Sequence, residues 1–97
     1  MQIRFEWNDE NAARHLKKHG VSFEVAARVF ADPFALTVQD RIENGEQRWQ
    51  TIGMVDGHLL LLVAHTVGED ETTEVIYIIS ARKADAKERK RYEQENR

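Results

Sequence analysis

Residues 74–91 read EVIYIISARKADAKERKR, and the reading of this stretch sets the architecture. Val75, Tyr77 and Ile79 alternate with Ile76 and Ile78, so neither face of a strand over Glu74–Ser80 reads as solvent-facing. A chain of 97 residues can bury only a strand or two in this way. The strand runs straight into Arg82-Lys83, which puts fixed positive charge at the rim of the core on a rigid support. That arrangement suits an anionic ligand. Arg82 follows the buried strand in this reading, so its truncation is expected to leave no large cavity and to cost little folding stability. Next comes Asp85 with Glu88 three residues on, a capping-box signature for a short, highly charged helix. Tyr92 is almost the only large apolar residue of that helix and is expected to anchor it, while Arg82 folds back onto the sheet or Glu88.

Upstream, Gln2–Trp7 alternates with Ile3, Phe5 and Trp7 on one face, a first strand. Asn8 or Asp9 caps a helix running to about Lys18, and Gly20 supplies the left-handed residue that ends it. Ser22 caps a second helix with the apolar stripe Val25, Ala26, Val29 and Phe30, stopped by Asp32-Pro33. The centre is sheet: strands over 35–40, 47–55, 58–67 and 72–80. Asn44-Gly45, the two-residue hairpin signal Asp56-Gly57 and Gly68–Glu71 supply the turns. The order β-α-α-β-β-β-β-α describes an α+β fold with a mostly antiparallel sheet of about five strands. With no repeat, linker or low-complexity tract, residues 1–97 read as one domain.

Composition narrows the function classes. Hydrophobic content of 41% and charged content of 32% are those of a globular protein rather than a disordered one. The chain has no cysteine, which removes disulfides and thiolate metal sites. The longest apolar run, Leu59–Ala64, falls far short of a membrane span, and the N-terminal residues do not pattern as a signal peptide. A soluble cytoplasmic protein is expected. Charge is unevenly spread about the net −3. Residues 81–97 carry seven cations and four acids, whereas residues 32–80 carry nine acids against Arg41 and Arg48. One surface therefore suits a polyanion, and another a basic partner.

His15 and His19 have the spacing of a two-histidine metal pair, but Lys17 and Lys18 between them repel a cation and no carboxylate accompanies them. No metal site is expected. His19 sits where a helix C-terminus favours its charge, and its near-neutral pKa also suits acid–base work beside a phosphate. Arg14, His15, Lys17 and Lys18 form a basic edge that gains interest if it lies near Arg82. Arg48, in a strand, should hold a specific partner. Ser80 lacks an Asp-His constellation, and there is no glycine-rich phosphate loop.

Several blocks together resemble the BrnT family of bacterial toxins. They are Phe5-Glu6-Trp7-Asn8, Lys18-His19-Gly20-Val21-Ser22-Phe23-Glu24, Val29-Phe30-Ala31-Asp32-Pro33, Gln47-Arg48-Trp49-Gln50-Thr51-Ile52-Gly53 and Ile78-Ile79-Ser80-Ala81-Arg82-Lys83-Ala84. Glu88-Arg89 and Tyr92 continue the match, which spans nearly the whole chain in order. Asn8 stands where an aspartate is more familiar, and can cap the helix equally. The resemblance implies a RelE-like ribonuclease toxin of a type II toxin–antitoxin system. It further implies neutralisation by a BrnA-type antitoxin in a two-plus-two complex that meets operator DNA only through the antitoxin.

Carried onto this sequence, the resemblance singles out Lys18, His19, Glu24, Arg48, Arg82 and Lys83. Cleavage of RNA without metal or other cofactor requires deprotonation of a 2′-hydroxyl, stabilisation of the pentavalent phosphate and protonation of the leaving oxygen. Arg82 and Arg48 suit the phosphate, and His19 or Glu24 the proton transfers. Lys18, Lys83, Lys17 and Arg89 suit backbone phosphates. Two alternatives stay open: a binding module that acts only by assembling with a DNA-binding partner, and a family member that folds and binds antitoxin but has lost activity. A basic or amphipathic antitoxin segment is expected to cover the sheet or the last helix.

Overall fold

Short-range chemistry places most of the elements. In the computed structural model, which describes residues 2–96, β1 (Gln2–Glu6) leads into α1 (Asp9–His19). The Asn8 side chain caps α1 by accepting from the Asn11 N–H at 2.9 Å, and Gly20 ends it at φ 71°. Ser22 caps α2 (Phe23–Ala27), which tightens into a 3-10 turn over Arg28–Ala31. The second helix is thus shorter than its apolar stripe suggests, because the chain must turn towards Asp32-Pro33. Four strands follow, β2 (Leu36–Glu43), β3 (Glu46–Val55), β4 (Leu59–Asp70) and β5 (Thr73–Lys83), and then α3 (Ala86–Glu95).

The five strands form one sheet in the order β1-β5-β4-β3-β2. Strands β2 to β5 make an antiparallel meander, while β1 pairs in parallel with β5, with Gln2 opposite Thr73 and Glu6 opposite Tyr77. This is the expected α+β order. Asn44-Gly45, both at positive φ, close the β2–β3 hairpin in two residues, so those strands run longer than expected. The β3–β4 loop takes three residues rather than two, since Val55 pairs with Leu59 and His58 lies in the turn. Gly68 does not turn the chain: it pairs with Val75, and the turn falls at Glu71-Thr72, where Glu71 adopts φ 56° without being glycine.

The largest departure is in β5, which continues to Lys83 and so contains Arg82. Opposite β4, Ala64 pairs with Ser80 and His65 with Ile78, leaving Ile79 as an extra residue in a bulge. Its carbonyl accepts from the Asn11 Nδ2 of α1 at 2.6 Å. A bulge reverses which side chains face which way. Ile76, Ile78 and, past the bulge, Ala81 point to one face, and Ser80 and Arg82 to the other.

Each face has its own core. On the first, Val21, Phe23, Ala26 and Val29 from the helical layer pack on Leu61, Val63, Ile76 and Ile78. On the second, Ile52, Leu60 and Leu62 lie under Tyr92 of α3. Tyr92 is the sole buried residue of that helix, as expected of its anchor. Gly53 is required where the 3-10 turn crosses β3. A Cβ there would stand 2.7 Å from the Val29 Cβ and 2.9 Å from its carbonyl oxygen, contacts that no rotamer change relieves.

Two substitutions test this packing in denaturant titrations. Gly53→Ala should lower unfolding free energy by about 1–3 kcal/mol, because the backbone of Val29 must move. Asn11→Ala, which removes the donor to the bulged carbonyl, should cost about 1 kcal/mol. Unchanged midpoints would show that the crossing and the bulge are free to adjust.

Candidate functional site

The second face carries the chain's best-positioned cations. Arg82 pairs with Leu62, Leu62 with Ile52, Ser80 with Ala64, and Ala64 with Gln50, so these side chains share one face. Arg48, two residues before Gln50 on the same unbroken strand, belongs to it too. Tyr92 covers the end near Leu60 and Leu62. Between Arg48 and Arg82 the floor is made of small or polar side chains, Ala64, Ser80 and Gln50, with Thr66 and Tyr77 paired beyond them.

Both arginines are held by carboxylates. Arg82 forms a fork with Glu88, Nη1 to Oε1 and Nη2 to Oε2 at 2.8 Å each, and also donates to the Lys83 carbonyl. Glu88 accepts in addition from the Asp85 N–H, and Asp85 accepts from the Glu88 N–H, completing the expected capping box. The hydrogen bonds between them raise the Arg82 pKa and lower that of Glu88. Arg48 lies 3.2 Å from Glu43, which Arg41 also bonds. Arg82 is therefore not a free projection beyond a strand. Truncating it would strip Glu88, whose side chain is only 16% exposed, of its counter-ion. The small loss of folding expected for Arg82→Ala is thus set at about 1 kcal/mol, with solvent screening included.

A second tether fixes α3. The Tyr92 hydroxyl donates to Asp32 Oδ2 at 2.6 Å, and Asp32 also accepts from the N–H groups of Met54 and Phe34. Burial pushes the Asp32 carboxyl up, but these three donors outweigh it and hold its pKa below the ordinary value. Burial and the same carboxylate push Tyr92 up to about 12. Asn96 adds a bond to the Phe34 carbonyl.

The other expected site residues sit elsewhere. His19 stacks on His15 with ring centres 5.7 Å apart, and His15 leans on Phe23, whose side chain belongs to the first-face core. Burial lowers the His15 pKa, and the charges of His19, Arg14 and Lys18 lower it further. Glu24 is exposed on α2, and Lys17 and Lys18 on α1. Lys83, opposite Leu61, faces the helical side, and Arg89 is exposed on α3. Arg48 and Arg82 thus share one face of the sheet, while His19, Glu24, Lys17 and Lys18 belong to the layer behind it. Past Tyr77, where β1 stops, β5 is an edge between the two groups. Among the described residues no three His, Asp or Glu side chains gather as metal ligands would.

Sequence reasoning missed Tyr77. It reads as part of a strand buried on both faces, yet it is 38% exposed, on the face of the two arginines. The signal was a hydroxyl-bearing ring among aliphatic neighbours.

A family model described as the ribonuclease toxin BrnT of type II toxin–antitoxin systems matches residues 7–88. The chain belongs to the BrnT family. Its fold is similar to the 1.1 Å crystal structure of the Brucella abortus ribonuclease toxin BrnT, with a TM-score of 0.67 at 20% identity. That match covers 88% of this chain and 99% of the Brucella one. A comparison with curated proteins finds no match. This BrnT-family chain thus shares the family's α+β scaffold, and no helix among its described residues is long and apolar enough to cross a membrane.

The two α3 tethers make stability pH-dependent. Asp32 and Glu88 both titrate lower in the folded state than when unfolded. Their contribution is complete above the unfolded values, about 4, and fades as pH falls through the folded ones. Melting temperature should fall below about pH 4, less steeply for Tyr92→Phe, which should also be about 1–2 kcal/mol less stable at neutral pH. Equal acid sensitivity in both proteins would remove Asp32 from the account.

Proposed function

We propose that this BrnT-family protein is a metal-independent endoribonuclease that cuts RNA through the RNA's own 2′-hydroxyl, inhibiting translation and growth from the cytoplasm. The observation that carries the reading is the placement of Arg48 and Arg82 on one face of the sheet, flanking a floor of small or polar side chains. In the reaction, a 2′-oxygen loses its proton and bonds to phosphorus while the bond to the 5′-oxygen breaks and that oxygen is protonated. Fixed guanidinium groups stabilise the charge gathered on the phosphate oxygens without reorganising. Tyr77 offers a ring for a base to stack on.

The depressed pKa of Glu88 makes it a poor proton acceptor, and its part is to orient Arg82. His19 and Glu24 are the candidates for the proton transfers, and because both lie in the layer behind the sheet, that role requires the scissile phosphate to sit beside Arg82 at the β5 side of the sheet rather than on the floor between the two arginines. Lys18, Lys83, Lys17 and Arg89 hold neighbouring phosphates. A BrnA-like antitoxin neutralises the enzyme in a complex of two toxins and two antitoxins, which reaches operator DNA through the antitoxin alone.

A rival reading, a module with no chemistry of its own that acts through a DNA-binding partner, draws on one observation. Each arginine already carries a carboxylate, Glu43 or Glu88.

End-labelled RNA separates the two. The purified protein should cut it in EDTA and leave 2′,3′-cyclic phosphate or 3′-phosphate ends. Arg48→Ala and Arg82→Lys should each lower the rate about 100-fold while keeping the circular-dichroism spectrum. Products with 5′-phosphates, or activity lost in EDTA, would overturn the mechanism. Absence of any cutting by a protein that still binds its neighbour would favour the rival.

A further inference from the structure

The helical layer covers only part of the first face. Val29 of the 3-10 turn closes over Gly53, but further along the strands a groove of about 320 Å³ remains. Phe30, Trp49, His65, Val67 and Ile76 line it, and Glu74 stands at its rim. Val67 is 44% exposed although Ile76, opposite it on the same face, is a core residue. On β1, Ile3, opposite Glu74 in the parallel pairing, is 51% exposed. The floor is rigid and uncharged. His65 is 2% exposed and its Nε2 lies 2.8 Å from the Thr51 hydroxyl.

The rim is electrostatically incomplete. Glu69 and Glu74 are directly opposite each other on β4 and β5, two pairs beyond Val67 and Ile76 and on the same face. Like charges facing across a ladder destabilise it, and neither glutamate has an ion-pair partner among the described residues. The closest cation in the ladder, Arg4 opposite Val75, faces the other side and is taken by Glu6 and Asp70. An apolar trough ending in two unpaired carboxylates matches a segment with apolar side chains followed by a lysine or arginine.

We propose that this groove is the anchor for the protein antitoxin, which inserts an amphipathic segment with a basic residue between Glu69 and Glu74. The proposal rests on the toxin–antitoxin reading above and adds to it a location. The anchor lies behind the sheet, on the face opposite Arg48 and Arg82. Antitoxin capture at the anchor and phosphate binding by Arg48 and Arg82 are therefore separable by substitution.

The test uses the full chain co-expressed with the protein encoded by the adjacent reading frame, with Kd measured on the purified components. Glu74→Lys and Val67→Asp should each weaken binding by about tenfold or more while RNA cleavage stays at the wild-type rate. Glu74→Lys also creates an internal pair with Glu69, so its melting temperature should hold or rise, which excludes misfolding as the cause. Wild-type binding at both variants would overturn the anchor while leaving the toxin–antitoxin reading standing. No binding by the wild-type chain would sink that reading and the anchor with it. A wild-type chain that is dimeric by light scattering, and monomeric as Val67→Asp, would assign the groove to a second copy instead.

Discussion

One extra residue in β5 governs what the second face can do. Side chains alternate along a strand, so without the Ile79 bulge Arg82 would share the face of Ile76 and Ile78 and meet the helical core. The bulge shifts the parity, sends Ala81 into that core and delivers Arg82 to the face that holds Arg48. The disturbance leaves a carbonyl without a ladder partner, and Asn11 supplies the donor. The alignment of two arginines therefore depends on an asparagine in a helix behind the sheet.

The two faces are stabilised differently. The first is closed by conventional burial of Phe23, Val29 and their neighbours. The second has a thin cover, a helix whose only buried residue is Tyr92, held by the Asp32 hydrogen bond at one end and the Arg82–Glu88 fork at the other. A short, charged helix has little stability of its own, so these polar contacts set its position. Glu88 joins the two problems, since it caps the helix and orients the arginine.

The sequence reveals what local chemistry decides. Asn8, Ser22, Gly20 and the Asp85–Glu88 box act within one turn of their own positions, and the structure places the helix ends where they indicate. Tyr92 as anchor and Arg82 on Glu88 follow from the scarcity of other partners in the last helix. The bulge was not legible, because an apolar run such as Val75–Ile79 has no periodicity from which a slipped register can be read. The face on which Arg82 falls is a consequence of that omission, whereas Tyr77 is exposed because the cover of the second face stops short of it. Gly68 misled for the converse reason: glycine permits a turn but does not require one, and Glu71 accepted the left-handed conformation instead. Of the site, residue types were visible, whereas the division of Arg48 and Arg82 from His19 and Glu24 is a property of sheet faces.

The contacts that finish the second face are also far apart along the chain. The Tyr92–Asp32 bond joins residues 60 positions apart, and β1 finds its partner only when Thr73–Tyr77 is present. Closing such loops precedes any energetic return from them, which slows folding. On a ribosome the order of appearance matters as well. The β2–β3–β4 meander can assemble early, but β1 waits as an unpaired edge and Arg82 has no counter-ion until Glu88 has emerged. The arginine face is thus completed late, when Glu88 joins Arg82.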